Sequence, residues 1–222
     1  YDRLAGGMDA WTAGQRLREM VPVIQNLWKG DYAHEGECWS FPKTTSAPQP
    51  LQDPHPPIWV AARDPNSHDF AVANGCNVQV TPLWLGDEEI ESLMERFNTA
   101  CAAHPEVARP KIMLLNHTFV GETEEEVLQG AHDISCWYCH FGAWFKNERP
   151  IEQGIIKQLS PEEMAKIEMY SPENMRANNA VGTPDEVIAR LKKYETLGYD
   201  QYSFWIDTGM SFERKKRSLE LF

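Results

Sequence analysis

The sequence predicts an α/β fold built on a parallel sheet. Segments with helical periodicity alternate with short apolar segments along most of the 222 residues, which is the order expected when each strand is followed by a helix that returns to the same sheet. The run Ile58–Ala62 is apolar at every position, as in parallel strands covered on both faces. With 42% hydrophobic residues, the chain can form one large core.

The first elements are predicted from periodicity and turn residues. A helix with a kink at Pro22 is expected to end at Gly30. Its apolar face consists of Leu17, Met20, Val21, Ile24, Leu27 and Trp28. Residues 31–53 are rich in Pro, Gly, Ser and Thr, which predicts a loop or small hairpin. A strand is predicted over 57–62.

The middle of the chain continues the alternation. A helix over 65–74 is predicted to end at Gly75, and Val78–Thr81 form a short strand. Lys111–Val120 is the clearest strand by length. Between them, a helix begins at Asp87 with an inner face of Ile90, Leu93, Met94 and Phe97.

Capping signals mark the later helices. Thr123–Glu126 forms a capping box for a helix that carries Cys136–Phe141. Ser160–Glu163 starts another helix, and the flanking segments 142–153 and 174–180 are predicted as loops.

The last helix and the last strand have the strongest local signals. Thr183, Pro184 and Glu186 supply cap, first position and capping box, and Gly198 ends this helix. Gln201–Ile206 then forms an aromatic-rich final strand.

The turn after the strand at 57–62 is a candidate anion site. Arg63 ends the strand, Asp64 can cap the next helix, and Pro65 suits its first position. The free N–H groups near Asn66 and Ser67 point outward at the positive end of the helix dipole, where a phosphate fits. The alternative is an ordinary capped turn with a solvated arginine.

Three blocks of sequence resemble the bacterial luciferase-like flavin monooxygenases. They are LWKGDYAHEGECWSF followed by PQPLQ, then PHPPIWVAARDPNS, then VGTPDEVIARLKKYETLGYDQYSFWI, in the family's order. The resemblance implies a (β/α)₈ TIM-type barrel, of which residues 1–222 would be a single partial domain containing about the latter half with a helical insertion. The first residues, from Tyr1, resemble the segment after the fourth barrel strand, so the N-terminal strands are expected to be missing, and Ser218–Phe222 resembles the start of a cut closing helix.

The resemblance also implies the chemistry. Family members bind reduced FMN, supplied by a flavin reductase, and use O₂ to oxidise a small organic substrate, and they commonly form homo-oligomers. The flavin phosphate would lie against Ala62–Ser67, with contacts from Arg63, Asn66 and Ser67, while Asp64 would have to turn away to cap the helix. Tyr1 would also approach the phosphate.

Two tryptophans lie near predicted strand ends, where a barrel places its active site. Trp84 and Trp205 are therefore candidates for an apolar substrate or isoalloxazine pocket, although aromatic residues fill barrel cores equally well. The sequence assigns no catalytic acid or base.

The sequence leaves two other functions open. One is a deazaflavin-dependent oxidoreductase, since a sister branch of the family uses that cofactor. The other is a remnant without catalytic activity that binds flavin or is purely structural, which a chain cut at both ends could be.

Composition narrows the class of protein. A net charge of −12 argues against a nucleic-acid surface, and no apolar run approaches the roughly 18 residues needed to span a membrane. Five cysteines, an odd number, favour a reducing, cytoplasmic location. Cys136 and Cys139 form a CxxC near His132 and His140, but packing is favoured over a zinc or redox site, because no second cysteine pair stands at zinc spacing.

Overall fold

The computed structural model of the protein describes residues 9–146, 149–206 and 208–222. Its helices are α1 (Ala10–Leu27), α2 (Pro65–Ala73), α3 (Asp87–Ala103), α4 (Glu124–Lys146), α5 (Pro161–Met164), α6 (Pro172–Asn178), α7 (Pro184–Leu197) and α8 (Phe212–Leu221), with a 3₁₀ turn at Glu168–Tyr170. Its strands are β1 (Tyr32–Glu35), β2 (Ser40–Thr44), β3 (Trp59–Ala61), β4 (Asn77–Val80), β5 (Ile112–Val120), β6 (Ile151–Glu152), β7 (Ile155–Ile156), β8 (Ala180–Gly182) and β9 (Gln201–Trp205). None of the helices in these ranges combines the length and apolar character needed to cross a bilayer.

A five-stranded sheet forms the centre of the fold, and all its pairings are parallel. β3 pairs with β4, and β4 pairs with the start of β5, where Val78–Val80 lies opposite Ile112–Leu114. Further along β5, Met113–His117 pairs with β9 and Thr118–Val120 pairs with β8. The alternation of parallel strands and helices confirms the predicted α/β class.

The helices α2, α3 and α7 cover one face of this sheet. Their shared core includes Val60, Val78, Val80, Ile90, Leu93, Phe97, Ile112, Leu114 and Tyr194. The Asp200 carboxylate fixes the start of β5 next to β9, because it accepts hydrogen bonds from the Ile112 N–H (2.8 Å) and from Arg109 (3.0 Å). The predicted inner face of α3 is confirmed.

A second core joins α4 and α6 to the carboxyl half of β5. It includes Phe119, Val127, Ala131, Ile134, Tyr138, Met175 and Val181. The helix α4 approaches the strand closely at Gly130, where a Cβ atom would lie 2.6 Å from Phe119 Cγ. Only a residue without a side chain permits this packing.

The hairpin of β1 and β2 confirms the interpretation of residues 31–53 as a loop or small hairpin. Glu19 on α1 attaches it, accepting the N–H groups of Cys38 and Trp39 at 2.9 Å each, with His34 Nε2 also at 2.9 Å. These hydrogen bonds lower the pKa of Glu19 to about 2, and the bond from the Cys38 N–H contributes most.

Two predicted loops were wrong. The segment 142–153 continues α4 to Lys146 and then contains β6, because Phe141 stays in ring contact with Trp144 and Phe145 at helical spacing. The segment 174–180 belongs mostly to α6, which Ser171 caps through the Asn174 N–H. The strand β8 comes directly after it.

Two predictions of burial were also wrong. The strand β3 is shorter than the predicted range 57–62. Ala61 within it is exposed, because the helices in the described part of the chain cover only one face of that strand. On α1, Val21 of the predicted apolar face is buried, together with Val23, whereas Leu17 and Met20 of that face are exposed.

Substituting Gly130→Ala should destabilise the protein by about 1–3 kcal/mol, because the new methyl group overlaps the Phe119 ring. Urea unfolding measures the change. The matched control is Gly14→Ala in α1, where a Cβ would meet only the flexible end of Arg18 at 3.2 Å. That variant should gain about 0.5–1 kcal/mol. Equal stability changes in the two variants would contradict the close packing of α4 on β5.

Candidate functional site

The turn between β3 and α2 holds a negatively charged side chain of the protein itself. Asp64 is the N-cap of α2, and its carboxylate accepts hydrogen bonds from the Ser67 N–H (3.1 Å) and from the Ser67 hydroxyl. The bond from the hydroxyl is the largest of the contributions that lower the pKa of Asp64. Asn66 is exposed beside it. The donors of this helix start are therefore arranged around negative charge. Tyr1, the remaining predicted phosphate contact, lies outside the described residues.

Arg63 is held against α3 by both its side chain and its backbone. Its Nη2 lies 3.2 Å from Glu89 Oε1, and its carbonyl oxygen accepts a hydrogen bond of 2.6 Å from Arg96, which itself pairs with Glu89. The Arg63 side chain remains 44% exposed, so part of the guanidinium faces solvent. Ala62 is buried, and its N–H donates to the Gln79 carbonyl at 3.0 Å, which extends the sheet up to the turn.

An aromatic cluster lies where β5, β9 and α4 meet the segment after β4. It consists of Trp84, His117, Trp137, Tyr138, Tyr170 and Trp205. His117 stacks on Trp205 with ring centroids 4.2 Å apart, and the edges of Trp137 and Tyr138 meet it at 4.8 and 5.0 Å. Trp84 meets Tyr138 edge-on at 5.9 Å. The two tryptophans predicted from sequence thus belong to one cluster.

His117 is the most unusual member of this cluster. It is completely buried, and neither ring nitrogen has a partner in normal hydrogen-bond geometry within the described parts of the chain. Burial lowers its pKa to about 3, opposed only weakly by a nearby backbone group of Trp205. The side chain is therefore neutral at physiological pH.

The cluster lies within electrostatic reach of the predicted anion site. Burial raises the pKa of the Tyr138 hydroxyl, and the positive charge of Arg63 acts in the opposite direction. The Tyr138 hydroxyl and Trp84 Nε1 are both buried with no hydrogen-bond partner among the residues described. Unpaired polar atoms of this kind are costly in a protein interior. Their presence together marks this region as a candidate site.

A cavity of about 780 Å³ adjoins the cluster through Trp137. One wall is α4, with Trp137, Phe141 and Trp144, and the other is the hairpin of β6 and β7, with Ile151, Ile155 and the adjacent Lys157. Trp84 and Trp205 do not line it, and their pocket role stays a prediction. A volume of this size is typical of ligand sites.

The CxxC segment does not converge on a common point. His140 Nδ1 lies 2.8 Å from the Cys136 carbonyl oxygen, and its Nε2 accepts the Leu159 N–H at 3.3 Å. Cys139 is buried in the second core, whereas the Cys136 thiol contacts His132 at 3.7 Å. No group of three potential metal ligands occurs in the described ranges.

Sequence reasoning missed His117, Tyr138 and the cavity. A single histidine in an apolar strand forms no motif. The only available signal was that strand alternation places His117 on the other face of β5 from Ile112 and Leu114, which face the helices. The cavity depends on the β6–β7 hairpin, whose two-residue strands are too short to recognise.

Comparison with known proteins gives concordant results. The model of the luciferase-like monooxygenase family matches residues 2–201. The oxygenase component of a flavin-dependent trigonelline monooxygenase from Acinetobacter baylyi is 67% identical over 220 residues, which cover 99% of this chain and 61% of that protein. The chain thus spans about three fifths of the length of this relative.

Two solved structures share the fold. Monooxygenase RslO1 from Streptomyces bottropensis superimposes with a TM-score of 0.73 at 23% identity, covering 100% of this chain and 63% of that one. An F420-dependent secondary alcohol dehydrogenase superimposes with a TM-score of 0.66 at 12% identity, covering 92% of this chain and 59% of that one. Since the second of these is named for a deazaflavin cofactor, the fold alone does not choose between the two cofactors.

The substitution His117→Phe should make the free energy of unfolding less dependent on pH. Because the pKa of His117 is about 3 in the folded protein and about 6.5 when exposed, only the unfolded state takes up its proton between these values. Stability from the neutral side chain is complete above pH 6.5 and decreases toward pH 3, by up to ~1.4 kcal/mol per unit.

Urea unfolding across this pH range measures the effect. The control is His132→Phe on the exposed surface of α4. A wild-type protein and a His117→Phe variant with the same pH dependence would contradict the neutral, buried state of His117.

Proposed function

This chain belongs to the luciferase-like monooxygenase family, and we propose that it is part of the oxygenase of a two-component, flavin-dependent monooxygenase. The 67% identity to an oxygenase component named for trigonelline supports trigonelline, an N-methylated pyridinium carboxylate, or a close analogue as the substrate. O₂ is the second substrate, and a separate flavin reductase is the partner protein. We place this homo-oligomeric enzyme in the cytoplasm.

The cofactor is reduced FMN, and the β3–α2 turn binds its phosphate. The observation that carries this proposal is the internal anion at the turn. Asp64 occupies the point where the Ser67 N–H and hydroxyl converge, next to the partly exposed Arg63. Asp64 remains turned inward as the helix cap, and a phosphate at this turn gains the helix dipole, the Arg63 charge and the exposed Asn66 beside it.

The bound flavin supplies the activation of oxygen, and the protein supplies binding, orientation and exclusion of water. Arg63 and Ser67 hold the charged end of the cofactor, with Asn66 beside them. Trp84 and Trp205 provide apolar surface for the flavin ring or the substrate. His117 adds no charge to this surface, because it remains neutral.

The phosphate site is tested by FMN binding. We expect Arg63→Ala to weaken FMN affinity by about 10- to 100-fold and Ser67→Ala by about 5-fold, since charge-assisted hydrogen bonds contribute ~1.5–3 kcal/mol and neutral ones ~1 kcal/mol. Asp64→Asn keeps a good helix cap but removes the competing charge, so it should tighten binding. Quenching of flavin fluorescence measures all three affinities.

Two controls separate the phosphate from the rest of the cofactor. Riboflavin, which lacks the phosphate, should bind all variants equally. Arg217→Ala removes a similarly exposed arginine that pairs with Glu122 on another surface, and it should leave FMN affinity unchanged. A loss of riboflavin affinity equal to that of FMN would place the phosphate elsewhere.

The reaction is tested by oxygen consumption. With FMN, NADH and a flavin reductase supplied, the full-length protein should consume O₂ in proportion to added trigonelline, above the background oxidation of free reduced flavin. With ¹⁸O₂, the product should contain one labelled oxygen atom. If adding trigonelline changes neither the oxygen consumption nor the incorporation of label, trigonelline is not the substrate.

A further inference from the structure

The cavity between α4 and the β6–β7 hairpin has one strongly aromatic wall. Trp137 and Phe141 lie one turn apart on α4 and stack with ring centroids 4.7 Å apart and planes 11° from parallel. Phe141 then meets Trp144 at 5.8 Å. These rings make one wall of the cavity aromatic, and aromatic surfaces attract flat rings, most strongly those that carry a positive charge.

The polar groups that line the same cavity differ in how far they are already paired. Asp133 forms an ion pair with Arg214. Both nitrogens of His140 contact backbone groups, Nδ1 with the Cys136 carbonyl oxygen and Nε2 with the Leu159 N–H. Lys157 is exposed, and no carboxylate within the described residues lies within ion-pair distance of its ammonium group, although its charge helps to lower the pKa of Glu163. Among the lining residues that the structure describes, Lys157 is therefore the cation available to a ligand.

We infer that this cavity binds the organic substrate and selects a planar, cationic aromatic ring that carries a carboxylate. The ring lies against the wall of Trp137, Phe141 and Trp144, and the carboxylate pairs with Lys157. The inference rests on the proposed function for the identity of the substrate class, but the site itself rests on the cavity. The zwitterion matches it, because each charge has a partner on a different wall.

Three probes separate the two charges. Trigonelline has both the fixed cation and the carboxylate, N-methylpyridinium has only the cation, and nicotinate has the carboxylate without a fixed cation. Their affinities for the full-length protein with saturating oxidised FMN are measured by isothermal titration calorimetry.

Two substitutions address the two walls. Lys157→Met should weaken trigonelline and nicotinate binding by about 10-fold or more, while N-methylpyridinium binding changes by less than about 2-fold. Trp144→Leu should weaken trigonelline and N-methylpyridinium binding by about 3- to 5-fold, and more than nicotinate binding, because the cation–π attraction needs the positive charge. The control Lys192→Met removes an exposed lysine on α7, outside this cavity, and should change none of the affinities.

The outcomes distinguish this inference from the proposed function. If Lys157→Met weakens the binding of all three probes equally, or of none of them, the inference is overturned, even if trigonelline drives oxygen consumption. A wild-type protein that binds none of the probes would overturn it as well. The expected pattern of affinities without turnover would support the substrate cavity and refute the proposed reaction.

Discussion

The parallel pairing of β5 is the constraint on which the other elements depend. This nine-residue strand pairs with β4 at its start, with β9 along its middle and with β8 at its end. Because side chains alternate along a strand, Ile112 and Leu114 pack against the helices of the first core. His117 and Phe119, at odd positions further along, lie among aromatic residues and α4. One strand thus connects the stabilising core with the candidate site.

The candidate site combines two environments of opposite character. The β3–α2 turn is polar and partly open, with Asp64 stabilised as an anion by Ser67 and with Arg63 held by Glu89. The aromatic cluster is largely apolar and partly or fully buried, and burial keeps His117 neutral. A phosphorylated flavin has the same division, with a dianionic end and a planar ring. This match between ligand and surface supports the proposed cofactor.

The cavity matches the proposed substrate in the same way, with an apolar surface and a charged group. Its aromatic wall continues from the cluster through Trp137, and Lys157 lies on the separate hairpin. Under these two proposals, the β6–β7 hairpin after α4 contributes substrate specificity, whereas the sheet positions the turn that binds the cofactor. This division agrees with the general rule that strands supply a rigid scaffold and that connecting segments carry recognition.

Local signals in the sequence determined most of the fold. Caps, glycine stops and apolar periodicity predicted α2, α3, α7 and the strands β4, β5 and β9 with boundaries close to those observed. The β3–α2 turn was found as a capped helix start, whereas β8 was not predicted. These features act over a few residues, so the sequence alone contains them. The burial of His117, the close contact of Gly130 with Phe119 and the cavity walls join residues far apart in the chain. Only the tertiary structure decided them, because desolvation and packing depend on which distant side chains become neighbours.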